Sequence, residues 1–246
     1  MESLIASLGI FIGELYGNLV GGGSLVTQAV LQKVLHLDIK TAMALDNSAI
    51  IGSVLGMIIA MWKNHKIKRY FFLFIIFQLL GVFIGANILV NIDITILKTI
   101  FSASIVVLLI KNLFIKDSNV QEKGFKPSNL NYFLLALSGL IIGTYNAAFV
   151  IGDWIIAILL LTKLLHLKYQ EAVFLLVLTQ VLVQPFAVYE YFQGGLIDFQ
   201  FLVPMTIATL FAGILSGNIL NKIQSHTLEN ILKYLSVALA IYLIVF

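Results

Sequence analysis

The 246-residue chain contains no cysteine, only three prolines, and few charges: Asp, Glu, Lys and Arg together make up 11% of it. Without cysteine, disulfides, thiolate nucleophiles and cysteine-based metal sites are excluded. No H-E-x-x-H, Walker loop or G-x-S-x-G occurs, so neither an enzyme nor a cofactor is expected, and ATP-driven transport would need a separate subunit. The formal net charge of +3 does not mark a nucleic-acid binder, because Lys and Arg fall at the ends of apolar stretches instead of along one basic face.

What the chain has in abundance is hydrophobicity: 60% of residues are apolar or aromatic, and the mean hydropathy is +1.02. A hydrocarbon core about 30 Å thick takes about 20 apolar residues per crossing helix. The sequence offers such stretches at residues 4–20, 41–62, 70–90, 95–115, 132–150, 172–192, 201–220 and 228–246. An all-α, polytopic membrane protein follows, whose partner is the lipid bilayer. Met1-Glu2 lacks the basic start of a cleavable signal, so the first helix is expected to stay.

The chain also says nearly the same thing twice. GIFIGELYGNLVGGGSLVTQAVLQKVLHL (9–37) realigns without gaps on GLIIGTYNAAFVIGDWIIAILLLTKLLHL (139–167), an offset of 130 residues. Gly9, Gly13, Val20, Gly22, Lys33 and His36 match Gly139, Gly143, Val150, Gly152, Lys163 and His166, and ANIL at 86–89 echoes GNIL at 217–220. Two homologous transmembrane repeats are therefore expected, 1–115 and 132–246, joined by a polar cytoplasmic linker at 116–131 and acting as one transport domain. Each would hold a glycine-interrupted helix pair followed by three transmembrane helices.

Whether the repeats are parallel or inverted depends on whether the interrupted segment crosses the membrane or turns back. If it crosses, the 15 Lys and Arg residues divide eight to seven between the two faces; if it turns back at its glycines, they divide twelve to three. Cytoplasmic enrichment of Lys and Arg favours the second, an inverted repeat. Glycines four residues apart, as at Gly52/Gly56, Gly81/Gly85 and Gly213/Gly217, predict close helix packing and no ligand. The symmetric His36 and His166 are read as anchors at the membrane surface, with no metal site expected.

Gly21, Gly22, Gly23 and Ser24 stand apart. Three successive glycines cost roughly 1 kcal/mol each relative to alanine in a helix, so the helix should break there. A break inside a bilayer is tolerated where the freed backbone groups are buried in protein or line a polar cavity, and a half-helix starting near Ser24 would aim N–H groups at such a cavity and attract an anion. The second interruption is expected at Gly152. Asn47 and Ser48 in the next helix, with Thr179, Gln180 and Gln184 in its counterpart, supply polar groups for a small substrate; Pro185 is expected to kink that helix. Glu14, Asp46 and Asp153 are acidic, lack a neighbouring arginine, and are candidates to carry a coupling proton. Inter-helix hydrogen bonding and, for Asp153, helix capping remain open as alternatives.

GNLVGGGSLVTQAVLQKVLHL, then ALDNSAIIGSVLGMIIAMWKNHKIK, then a glycine-spaced helix ending in GANIL, together resemble the TauE/SafE family of sulfite-exporter-like permeases. The resemblance spans essentially the whole chain. It implies a multi-pass protein of the cytoplasmic membrane that moves sulfite, thiosulfate, organosulfonates or related small anions, with Gly21, Gly22, Gly23, Ser24, Asn47 and Ser48 on the family's glycine-rich and Thr-Ser positions. The chain departs from that pattern at Gly152-Asp153-Trp154, where a second glycine run is usual, and at Asp46, where glycine is common. These carboxylates would repel an anion unless protonated. Proton-coupled anion transport by alternating access is therefore the leading expectation; a cation or metal permease and a non-transporting membrane scaffold are the alternatives, and a homo-oligomer is left open.

Overall fold

A computed structural model of the protein describes residues 1–20, 22–64, 66–103 and 125–220. Gly21, most of the span expected at 95–115, most of the linker, and the last expected span at 228–246 lie outside the described residues. The described residues are helical, without a strand, in nine helices: α1 Glu2–Val20, α2 Ser24–Gln28, α3 Ile39–Met61, α4 Arg69–Asn91, α5 Ile94–Ala103, α6 Asn129–Phe149, α7 Asp153–Leu159, α8 Tyr169–Gln193 and α9 Phe199–Leu220. Of these, α3, α4, α6, α8 and α9 are each long and apolar enough to cross a bilayer. Local chemistry sets several of their starts. Asp38 accepts a hydrogen bond from the Thr41 N–H at 3.0 Å, and Ser128 accepts one from the Asn131 N–H at 3.1 Å; such N-caps contribute about 1 kcal/mol each. α8 runs through Pro185 without a break.

α1 and α2 form a hairpin inside the bundle. A Cβ built on Gly9 would meet the Val30 side chain, one on Gly13 would meet Thr27, and one on Gly17 would lie 3.0 Å from Gly23 Cα. As the α1 number rises the facing number falls, so the chain doubles back at its glycines and returns along α1. Each short helix then loosens into a π-helical turn, Ala29–Val34 after α2 and Leu160–Leu164 after α7. Both turns end on a histidine in the left-handed region, His36 with φ 54° and His166 with φ 55°. The next N–H reaches back to close the turn, Leu37 to the Leu31 carbonyl and Leu167 to the Leu161 carbonyl, each at 3.0 Å.

This is a helix stop that glycine usually provides, and a side chain there costs about 1 kcal/mol or more. His36→Gly and His166→Gly are therefore each expected to raise the apparent Tm of the detergent-solubilised protein by a few degrees. The corresponding valine variants should lower it, and equal Tm values for the glycine and valine variants would contradict this origin of the stop.

The long helices pack through glycine, as the spacing predicted. Gly139 faces Phe74 and Gly143 faces Gln78, so α4 and α6 lie side by side in the same direction; Gly52 against Thr206 and Gly56 against Leu210 do the same for α3 and α9. Backbone approach this close is what small residues permit between helices in lipid, where apolar burial alone gives no advantage. α8 packs on both α3 and α4. Phe71, Phe74, Phe174, Met57 and Met61 fill the space among these three helices.

The connections fix the remaining directions. α3 and α4 are joined by a short turn, and α8 and α9 by the turn at Gly194-Gly195. Hence α1, α3 and α9 run one way, and α4, α6 and α8 the other. One face of the bundle carries Lys63, Lys66, Lys68, Arg69, Lys126, Lys163 and Lys168. On this face Lys68 forms an ion pair with Glu171 at the start of α8, and the Tyr70 hydroxyl donates to the same carboxylate. The opposite face carries Lys33 and Lys40, with Lys40 Nζ donating to the Val90 carbonyl at 2.9 Å.

Candidate transport site

The two interruptions meet within the bundle. Ser24, first residue of α2, donates from its hydroxyl to the Val150 carbonyl at 3.3 Å, just before α7. Around this contact lies a narrow, partly open cleft lined by Glu14, Gly17, Asn18, Gly22, Gly23, Ser24, Ile50, Asp153 and Trp154. No Lys, Arg or His is among these residues. Glu14 is 4% exposed and Asp153 9%.

A helix that ends inside a bilayer must find partners for its last carbonyls, and the end of α6 does so with side chains from three other helices. Asn47 of α3 donates to the Asn146 carbonyl at 2.5 Å, Tyr191 of α8 to the Ala147 carbonyl at 2.6 Å, and Ser24 to Val150. The chain turns through Val150, with φ 56°, and Gly152, with φ 76°. Asp153 then opens α7, and its carboxylate accepts from the Asn146 side-chain amide. Asn47 in turn accepts from Gln184 on its side-chain oxygen, and on its backbone oxygen at 2.7 Å. One hydrogen-bonded chain thus joins Asp153 to the crossing of α3 and α8.

The first tip is built differently, and it corrects one sequence expectation. The N–H groups at the start of α2 do not all point outward: Leu25 donates to the Gly22 carbonyl at 3.1 Å, and Val26 and Thr27 donate to the Gly23 carbonyl at 2.9 and 3.3 Å. Gly22, at φ 82°, makes this fold-back possible. What holds the tip in place is side-chain chemistry. Asn18 Nδ2 donates to the hydroxyls of Ser53 (2.7 Å) and Ser216 (3.0 Å), and the Ser53 hydroxyl also serves Glu14. Gln28 Nε2 donates to Asp46 at 2.9 Å and to the Ala42 carbonyl at 3.2 Å.

Of the residues singled out from the sequence, Glu14, Gly22, Gly23, Ser24 and Asp153 line the cleft, and Gly152 sets the turn into it. Asn47 and Gln184 stand behind it in the hydrogen-bonded chain. Asp46 lies off the cleft on Gln28, and Thr179 turns its hydroxyl back on the Leu176 carbonyl at 3.0 Å. Gly21 is outside the described residues. Among the described residues, Ser48 Oγ, Gln180 Oε1, Gln184 Oε1, Asn146 Oδ1 and Trp154 Nε1 are buried without a hydrogen-bond partner; buried polar atoms normally have one, and Trp154, which lines the cleft, is the one of these placed to meet a polar guest there.

Asn18, Asn146, Ser53 and Ser216 complete the site without standing out in the sequence. The signal for the two asparagines was their position, Asn18 just ahead of the glycine run and Asn146 two turns ahead of Asp153; the serines look like ordinary small packing residues in sequence.

Helices of bilayer-spanning length and apolarity around a buried polar cleft make this a multi-pass membrane protein. The chain belongs to the sulfite exporter TauE/SafE family, whose description it matches over residues 5–243, and that family is one of membrane transporters. Among curated proteins, none is significantly similar to the chain.

Proposed function

We propose that the protein is a secondary transporter that carries a small oxyanion of the sulfite, thiosulfate or organosulfonate type, together with protons, across the cytoplasmic membrane by alternating access at this cleft. The observation that carries the reading is the meeting of the two interrupted segments at Ser24 and Val150, with Glu14 from one half and Asp153 from the other lining the same space. Interrupted helices meeting near mid-membrane are a recurrent way to build a transport site. The two halves, 1–115 and 132–246, are read as an inverted repeat. Support comes from the opposite directions of α1 and α6 and from the equal 130-residue spacing of Gly22 and Gly152 and of His36 and His166, all four with positive φ. The face bearing Lys63 to Arg69 is assigned to the cytoplasm by its basic residues.

The carboxylates and the absence of a lining cation favour a second reading, cation transport. It is the weaker one, because among the described residues no group of three Asp, Glu or His side chains is placed to hold a metal ion. Flux into proteoliposomes separates the two. Sulfite, thiosulfate or a sulfonate is expected to be carried, faster under a pH gradient, with divalent cations leaving the rate unchanged. Transport of divalent cations with indifference to every oxyanion would replace the proposal by the second reading.

A further inference from the structure

Asn146 has no role in the sequence reading, yet it stands between the cleft and the long helices. Its side-chain amide donates to Asp153 and its backbone carbonyl accepts from Asn47, while Asn47 is held by Gln184. Asn146, Asn47 and Gln184 are each at most 1% exposed. A carboxylate and a carboxylic acid make different demands on a neighbouring amide: the first only accepts, the second also donates. Among the described residues Asn146 Oδ1 has no hydrogen-bond partner, so the same side chain can meet either form, giving its N–H to the carboxylate or, rotated about its terminal bond, offering its oxygen to the acid. The rotation occurs at the end of α6 that Asn47 caps, which is also where α3 and α8 cross.

We infer that Asn146 is the positioning residue that ties the protonation of Asp153 to the α3–α8 crossing. It thereby links proton uptake in the cleft to movement of the helices around it. The inference rests on the proposed transport reading. Two other acidic groups interact with Asp153 through their charge, Glu14 of α1, which lines the same cleft, and Asp46 of α3, which lies off it on Gln28. Among the described residues, α2, α6, α7 and the buried stretch of α8 bring no further charge to it.

The chain contains two tryptophans, Trp62 and Trp154. Trp62→Phe therefore leaves Trp154, next to Asp153 in the cleft, as a reporter that needs no transported substrate. In this background, Trp154 emission of the full-length protein in nanodiscs is expected to titrate with pH, and Asp153→Asn is expected to remove that titration. Asn146→Leu should displace its midpoint by about one pH unit or more, corresponding to about 1.4 kcal/mol. Asn146→Ser, which keeps a hydroxyl donor and acceptor, should bring it back toward the reference, and Asn47→Ala, which removes a bond to the Asn146 backbone carbonyl and leaves the Asn146 side chain and Asp153 in contact, should leave it within a few tenths.

In liposomes loaded with sulfite, the pH midpoint of flux should follow the emission midpoint in each variant. An Asn146→Leu titration identical to the reference would overturn the inference, as would an Asn47→Ala shift of equal size. If Asn146→Leu does not fold, the Asn146→Ser titration decides: loss of the pH response there is equally fatal. A displaced emission midpoint in a protein that moves no oxyanion would instead sink the transport reading while leaving Asn146 as the partner that sets Asp153.

Discussion

Gly23→Ala is expected to lower pH-gradient-driven flux at least tenfold and to cost more stability than any other single methyl added to the first hairpin. The added Cβ would sit 2.7 Å from Gly17 Cα and 2.8 Å from Gly17 N, and closer still to the Gly13 carbonyl. All three obstacles are backbone atoms of α1, which cannot rotate aside, and Gly23 itself has ordinary helical angles, so close approach alone demands glycine there. Overpacking commonly costs about 1–3 kcal/mol where side chains can adjust; with backbone on both sides the hairpin must open instead, carrying Ser24 away from Val150 and Glu14 away from Asp153.

Gly9→Ala provides the comparison. Its Cβ would first meet the Val30 side chain, at 2.8 Å, so its effect should be milder and Val30→Ala should relieve it. Thermal unfolding and flux of these variants in one lipid composition test the order. Wild-type flux and Tm in Gly23→Ala would mean that the hairpin does not close in the working protein.

The hairpin shows what the sequence made legible and what it did not. The apolar runs located each described long helix to within about three residues, because a bilayer demands long uninterrupted stretches; the run at 41–62, for example, became Ile39–Met61. The glycine run gave the break, since three glycines are too costly to keep in a continuous helix, and the distribution of Lys and Arg favoured the return. Sequence periodicity was silent on which polar residues would converge. α3 is buried nearly all round at its middle, from Ala42 to Ala49, so no polar face marks Asn47 as pointing to α6 or Asp46 to Gln28.

The donors expected to be free at Ser24 were misjudged for a related reason: Gly22 can adopt a positive φ, and that lets the glycine run satisfy its own helix start. Asn18 is unmarked in the sequence because it acts across helices distant along the chain, Asn18 and Ser216 being separated by 198 residues. Local pattern carries no information about such a pairing.

The largest functional effect should come from the two cleft carboxyls together. Glu14→Gln with Asp153→Asn is expected to abolish acceleration of flux by a pH gradient while leaving slow exchange down a substrate gradient. The argument begins with charge. Two carboxylates line one cleft with no Lys, Arg or His among its lining residues, and at low effective dielectric they repel each other and an entering anion more strongly than in water. In the proposed transport reading an oxyanion enters such a cleft when at least one carboxyl is protonated, and the proton is expected to travel with it.

Neutral amides of the same shape remove the repulsion and with it the reason for the proton to travel. Their hydrogen-bond partners, Asn146 for Asp153 and Ser53 for Glu14, can still be engaged. Folding should therefore survive, and Tm should stay within a few degrees of the wild type. The single variants apportion the task. If Asp153 is the carrier, Asp153→Asn alone removes most of the pH response and Glu14→Gln shifts it; if Glu14 is the carrier, the order reverses. Full pH-gradient-driven flux in both single variants and in the double variant would rule out proton coupling through this cleft. A double variant that moved the anion faster at every pH would show that the carboxylates serve only to exclude unprotonated anions, with no part in energising their transport.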